Sequence, residues 1–440
     1  LPAVGTVPLV SYTGGKSGAG SFVLGTLPDG VVATLDDNGT NLVSLNVTRV
    51  NDAYWTGAIS TSWDTTTANW NDDYAETSST YADGDPVMFD DRVTDVGPEI
   101  SVLLFDTVAP GGSGVTFANA TKNYTLWGIG KITGTTALTK QGVGTTTIDT
   151  INDYTGVTTV NGGILRTGTL TNCGIASPIG AAESSSSNLV LNGGTLSYTG
   201  PATTIDRGFS TTGAGGGIGT DNTLTVTGTV FSNGGTFYKS GNGNLVLGVD
   251  GLNVFGGGVM AGVNVISGTL TFDGTGLSQF NTVSGDIWVA TTSASGANLV
   301  LQGTSVSGRG NYLAIARGSG TTGLTSTCTL TNSTLTTGNL SLGYANGVAG
   351  YLATSVLTLN DSTYTMTGIN RLGESGGATG TVNLNGASHM TSGDTNIAQD
   401  GGSKGTLNVN DTSVYTSNNR LQVGPAAGSI GNVVIRNSGS

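Results

Sequence analysis

Apolar and polar residues alternate along most of this chain, in runs of four to eight residues that Gly, Asn, Asp and Ser interrupt. Alternation with period two predicts half-buried β-strands, and the interruptions predict tight corners. No apolar stripe of helical spacing is sustained. From Asn298 onward the same phrase returns: NLVLQGTSV, TLTNSTLTT, LTLNDSTYT, TVNLNGASH, TLNVNDTSV and NVVIRNSGS. Its matching apolar positions are Leu301, Leu330, Leu359, Leu384, Val409 and Ile435, so the steps are 29, 29, 25, 25 and 26 residues. A period in this range predicts a solenoid, in which each coil covers the apolar face of the coil before it. The last phrase is only begun, and the expectation is that more chain or another subunit continues the stack.

Three segments differ in texture. Residues 1–50 carry strand-like phrases and are expected to be a β-rich segment, the tail of a preceding unit. Residues 51–115 hold Trp55, Trp63 and Trp70, followed by Asp83, Asp85, Asp90, Asp91, Asp95 and Glu99. This stretch is expected to form a knob or to close the end of a β-core. Residues 116–440 are expected to be a parallel β-helix, with the 25–29-residue repeats starting at 298.

Composition agrees. Glycine numbers 74 of 440 residues and proline nine, without the strict third-residue glycine spacing of collagen. Glycine and asparagine suit corners that need φ > 0. The apolar content of 36% in alternating runs favours burial over disorder. The formal net charge of −13 and the dispersed lysines offer no basic face to nucleic acid or anionic lipid. No apolar run is long enough to span a bilayer as a helix. Cys173 and Cys328 lie about six coils apart, beyond the reach of a disulfide within one regular solenoid.

The residue pattern also bears on chemistry. Parallel β-helices that cleave polysaccharides need paired carboxylates on one face. The repeats carry almost no charge, and Asp394, Asp400 and Asp411 fall at corners. His389 is the single histidine and cannot build a zinc site alone. The chain therefore reads as a non-enzyme with no catalytic residues. Calcium is the one cofactor with any candidate ligands, the oxygens of Asp83, Asp85, Asp90 and Asp91. Two contact surfaces suggest themselves. One is the tryptophan segment, Trp55, Trp63 and Trp70. The other is a row of aromatics from Tyr198, Phe237, Tyr238, Phe255, Phe272, Phe280 and Trp288, which either binds sugars on a face or stacks in the core.

Residues 138–165, LTKQGVGTTTIDTINDYTGVTTVNGGIL, resemble the autotransporter-associated β-strand repeat of bacterial secreted and surface proteins. Leu138, Lys140, Gly142, Gly144, Thr145 and Ile148 carry the first half of the resemblance. Asn152, Tyr154, Gly156, Thr158, Val160, Gly163 and Leu165 carry the second. A looser copy over 237–270 keeps Lys239, Gly241, Gly243, Asn253, Phe255, Gly256 and Gly268. The resemblance implies a right-handed parallel β-helix displayed outside a bacterial cell. Three functional expectations follow: a structural rod or filament subunit whose partner is itself, head to tail or laterally; an adhesin passenger that binds surface glycans; and, third, a polysaccharide-cleaving β-helix or phage fibre.

Overall fold

The computed structural model describes residues 5–14, 17–18, 20–25, 31–37, 41–50, 53–72, 77–111, 113–248, 261–275, 285–290, 296–307, 311–318, 325–345 and 352–437. Within them the chain is all-β, wound as a parallel β-solenoid, and the one helical element is a single 3-10 turn at Ser186–Asn188. The residues Asn253, Phe255, Gly256 and Phe280 lie outside the described residues. Two compact units are distinguished: residues 1–159 with 175–182, and residues 160–174 with 183–440.

In the second unit one sheet holds ten strands, from Thr203–Ile205 to Ile430–Arg436, each paired with the next coil. Its register joins Ile205 to Val226, Leu247, Phe272 and Leu301. The column continues through Leu330, Leu359, Leu384, Val409 and Ile435. The repeat phrase is therefore a physical column of apolar side chains, spaced about 4.8 Å apart. Leu301, Leu330, Leu359 and Leu384 are fully buried. A second sheet contributes strands from Ile164–Thr167 to Leu421–Val423. A third, from Ser305–Ser307 to Val414–Ser417, closes the later coils.

The corners explain the glycine and asparagine load. After five successive strands of the ten-stranded sheet, from Ala297–Gln302 to Lys404–Asn410, one residue takes a left-handed backbone: Gly303, Asn332, Asp361, Gly386 and Asp411, with φ between 49° and 65°. Only residues that tolerate φ > 0 recur there. Beside them a ladder of serines ties coil to coil. Ser333 N–H donates to Ser362 Oγ at 3.1 Å, and Ser362 N–H donates to Ser388 Oγ at 3.2 Å. On the outer face Asn410 donates to Asn385, and Asn385 to Asn360, both at 2.9 Å. Like side chains thus satisfy each other along the stack, as the backbone ladders do.

In the first unit, the described residues between 5 and 50 hold three β-strands. Gly5–Ser11 and Val31–Asp37 both pair antiparallel with Leu42–Val50, which lies between them in a three-stranded sheet. The coils also begin before residue 116. Val87–Phe89 pairs in parallel with Val115–Phe117, and Glu99–Leu103 with Asn123–Trp127. These strands are short and flanked by turn-forming Asp and Gly, which hides them within an acidic stretch. An antiparallel hairpin, Ala53–Trp55 against Trp70–Asp72, lies beside Val87–Phe89.

The repeat signature has a physical meaning in both copies. Lys140 and Lys239 are fully buried. The Lys140 ammonium donates to the carbonyls of Gln141 and Gly142 at 2.7 and 2.9 Å. Lys239 does the same to Ser240 and Gly241 at 2.7 and 2.9 Å, and reaches Ser267 O at 3.3 Å. Each lysine thus caps the carbonyls of its own corner. The next signature glycine must be glycine. A Cβ on Gly142 would lie 2.3 Å from Asn119 O, and one on Gly241 would lie 2.4 Å from Thr220 O. Asn152 is buried and bridges three segments. It accepts from Ile132 N–H at 2.9 Å and donates to Thr150 O and Pro178 O at 3.2 and 3.0 Å. Tyr154 and Thr158 share a buried hydroxyl bond of 2.8 Å.

Candidate functional site

A coiled sheet has two faces, and any site it presents is built from outward residues at one register position in successive coils. In the second unit Tyr238 pairs with Asn264, and Asn264 with Trp288, on three adjacent parallel strands. Their strand neighbours Phe237, Val263 and Ile287 are buried in the core. Tyr238, Asn264 and Trp288 therefore share the outer face. They line an open cavity of about 320 Å³, together with Thr236 and Asp286. Tyr238 is 38% exposed.

The next coils brace this cavity from one side. Asp286 Oδ1 accepts from the backbone N–H of Tyr312 at 2.9 Å. The Arg317 guanidinium lies 5.5 Å from the Trp288 ring, 5.3 Å from Tyr312 and 4.8 Å from Tyr344. Three rings around one cation hold the tryptophan in place, each contact contributing about 0.5–1 kcal/mol. Further along the same face Arg371 pairs with Glu374 at 3.6 Å, and its guanidinium also donates to the Tyr312 hydroxyl at 3.5 Å. Ser341 donates to the same Glu374 carboxylate. The face is thus a run of planar aromatic and planar polar groups, rigidly braced.

The sequence-based candidates divide. Trp55, Trp63 and Trp70 are buried, at 1%, 1% and 0% exposure, so their rings give no contact surface. They pack with Tyr81 and Phe89 as an aromatic core of the first unit. Trp55 and Trp70 meet edge to face at 5.0 Å, and Phe89 stacks on Phe117 at 4.7 Å. Large rings beside a hairpin have more area to hide than to offer. Among the sugar-binding candidates, Tyr198, Phe237 and Phe272 are buried and belong to the core, whereas Tyr238 and Trp288 face out.

The acidic residues are engaged separately. Asp83 accepts from the Tyr81 hydroxyl and from Ala109 N–H, at 2.9 and 2.8 Å. Asp85 accepts from Ala82 N–H, and Asp90 binds Arg92 at 2.6 Å. Asp91 accepts backbone N–H bonds from Ala120, Thr121 and Lys122. Burial works to raise the Asp91 pKa, but those donors outweigh it and hold the carboxyl below its ordinary range. Among the described residues no three His, Cys, Asp or Glu side chains are placed to hold a metal ion. His389 sits on an outward strand position opposite Thr363 and Val414. Asn264, Asp286 and Arg317 were not legible as site residues. The signal that could have found the site is the spacing of 238, 264 and 288, with steps of 26 and 24 that match the coil length.

The fold and this face define a parallel β-solenoid with a braced aromatic and polar groove on its outer surface. Comparison with known proteins adds a relative. The chain is 36% identical over 250 residues to an adhesin of Brucella suis biovar 1 (strain 1330), the BmaC autotransporter. That match covers 50% of this chain and 7% of the relative. No family model matches the chain, and no solved structure matches it.

Proposed function

We propose that this chain is a β-solenoid segment of a bacterial surface adhesin of the autotransporter passenger type, non-enzymatic, acting outside the cell. The observation that carries the reading is the 36% identity to an autotransporter adhesin over half of this chain. The coil construction supports it. Each repeat adds one strand spacing of about 4.8 Å, so a solenoid gains reach without a new core. Braced side chains on one face suit recognition more than chemistry, because the charged pairs there are already matched to each other. This reading keeps reach from the rod expectation and replaces self-assembly with attachment as the task.

The test is display. The chain would be fused to a heterologous outer-membrane barrel in a non-adherent bacterium, and bacteria bound to epithelial cells would be counted. The reading expects adherence several-fold above the barrel alone. Equal adherence, with the chain shown folded at the surface, would reject it.

A further inference from the structure

We propose that the slot between Tyr238 and Trp288 binds a neutral hexopyranose, as the terminal or branch sugar of a surface glycan. The inference rests on the adhesin reading and names the ligand class of its site. Tyr238 and Trp288 stand two strands apart in register, with Asn264 between them. Two strand spacings separate their backbones by about 9.6 Å. A ring that contacts an aromatic surface on each side needs about 3.5–4 Å per side. That backbone separation is of the size that one saturated sugar ring needs between two aromatic side chains. The cavity of about 320 Å³ lies at the lower end of the range for small-ligand sites.

The polar groups fit hydroxyls. Asn264 and Thr236 in the lining carry an amide and a hydroxyl. Asp286 uses Oδ1 for the Tyr312 amide, so Oδ2 is the oxygen a sugar hydroxyl would meet. Paired hydroxyls on a planar carboxylate or amide are the polar half of such recognition, and aromatic faces are the apolar half. Among the described residues, Asp286 is the one charged side chain lining the cavity. Arg317 sits among three rings beyond Trp288. A carboxylated sugar would meet Asp286 at close range, so neutral sugars are selected over sialic or uronic acids. A peptide segment is disfavoured because the cavity is open and offers no enclosed apolar pocket for an anchor.

The test uses the full chain, with lactose, maltose and mannose-ended oligosaccharides as neutral probes and sialyllactose as the acidic one, in saturation-transfer NMR and on a glycan array. The proposal expects at least one neutral probe to bind, with sialyllactose at least about tenfold weaker. Tyr238→Ala and Asp286→Asn should each weaken binding about tenfold, and Tyr238→Phe should keep it within about threefold. Tyr238 is 38% exposed, so its truncation leaves the core intact, and circular dichroism would confirm the fold. No neutral binding, preference for the acidic probe or for a peptide, or binding unchanged in Tyr238→Ala would overturn the proposal. If displayed chains still promote adherence with Tyr238→Ala, the slot fails and the adhesin reading stands. If the unaltered chain binds sugar without promoting adherence, the adhesin reading fails instead.

Discussion

Replacing Lys239 by Met should reveal why the repeat signature carries a lysine. The side chain is fully buried, and its ammonium donates to Ser240, Gly241 and Ser267 carbonyls at 2.7, 2.9 and 3.3 Å. Methionine keeps much of the packing and removes those donors. Charged hydrogen bonds contribute about 1.5–3 kcal/mol each. Against this stands burial of the charge. It pushes the lysine pKa down from 10.5 to about 8, with Asp221 opposing in part. At about 1.36 kcal/mol per unit, that is a penalty of about 3 kcal/mol at neutral pH. The balance leaves the Met variant about 1.5–6 kcal/mol less stable at pH 7. The pH dependence is sharper. Between pH 8 and 10.5 the unfolded chain holds a proton on this lysine that the folded chain has released. Stability then rises with pH, because the unfolded state binds more protons. The gap between the unaltered chain and Lys239→Met should therefore widen by about 1–2 kcal/mol from pH 8 to 9.5. Cys328, whose thiol burial pushes up to about 12, works the opposite way, but it is common to both chains and cancels. Urea unfolding followed by circular dichroism at several pH values measures the gap. A gap that stays flat or narrows would refute a lysine whose charge is disfavoured by burial.

Other expectations follow from single positions. Gly373→Ala should cost more than about 2 kcal/mol, because φ is +64° and the new Cβ would lie 2.2 Å from Lys404 O; urea midpoints would show it. Leu359→Ala removes a fully buried member of the long apolar column and should cost about 2–5 kcal/mol by the same assay. Asn385→Ala breaks both of its ladder bonds, to Asn360 and from Asn410, and should cost about 1–2 kcal/mol. A thiol reagent should leave Cys328 unlabelled in the native chain and label it only on unfolding, as read by intact mass, because that thiol is fully buried.

The later coils were legible in the sequence because they repeat. Leu330, Leu359 and Leu384 are spaced as stacked positions, and they pair as such. Alternation also told inside from outside there. The same rule hid some inward positions. Ser326, Ser355 and Ser392 point into the coil and are fully buried, because small hydroxyls can bond to corner groups. Ser355 does so to Ile315 O at 2.9 Å. The earlier coils were missed for a different reason. Val87–Phe89 is three residues long and sits among aspartates, so its pairing with Val115–Phe117 depends on tertiary register and not on local pattern. The tryptophans were visible, but composition cannot say whether a ring is buried or offered. The groove was half visible. Tyr238 and Trp288 stood among the aromatic candidates, whereas their separation from Phe237 and Phe272 required knowing which face each strand turns outward.

The central claim is that successive repeats stack in one fixed register, and paired cysteines test it most directly. Thr358 and Asn383 are register partners on adjacent coils, and Asn408 lies one coil further. Partners about 4.8 Å apart fall within disulfide reach, and positions about 9.6 Å apart fall outside it. Mild oxidation of Thr358→Cys with Asn383→Cys should form a cross-link detectable by peptide mass, and Thr358→Cys with Asn408→Cys should not. Efficient bonding of the distant pair, or none in the adjacent pair, would contradict the stacked solenoid.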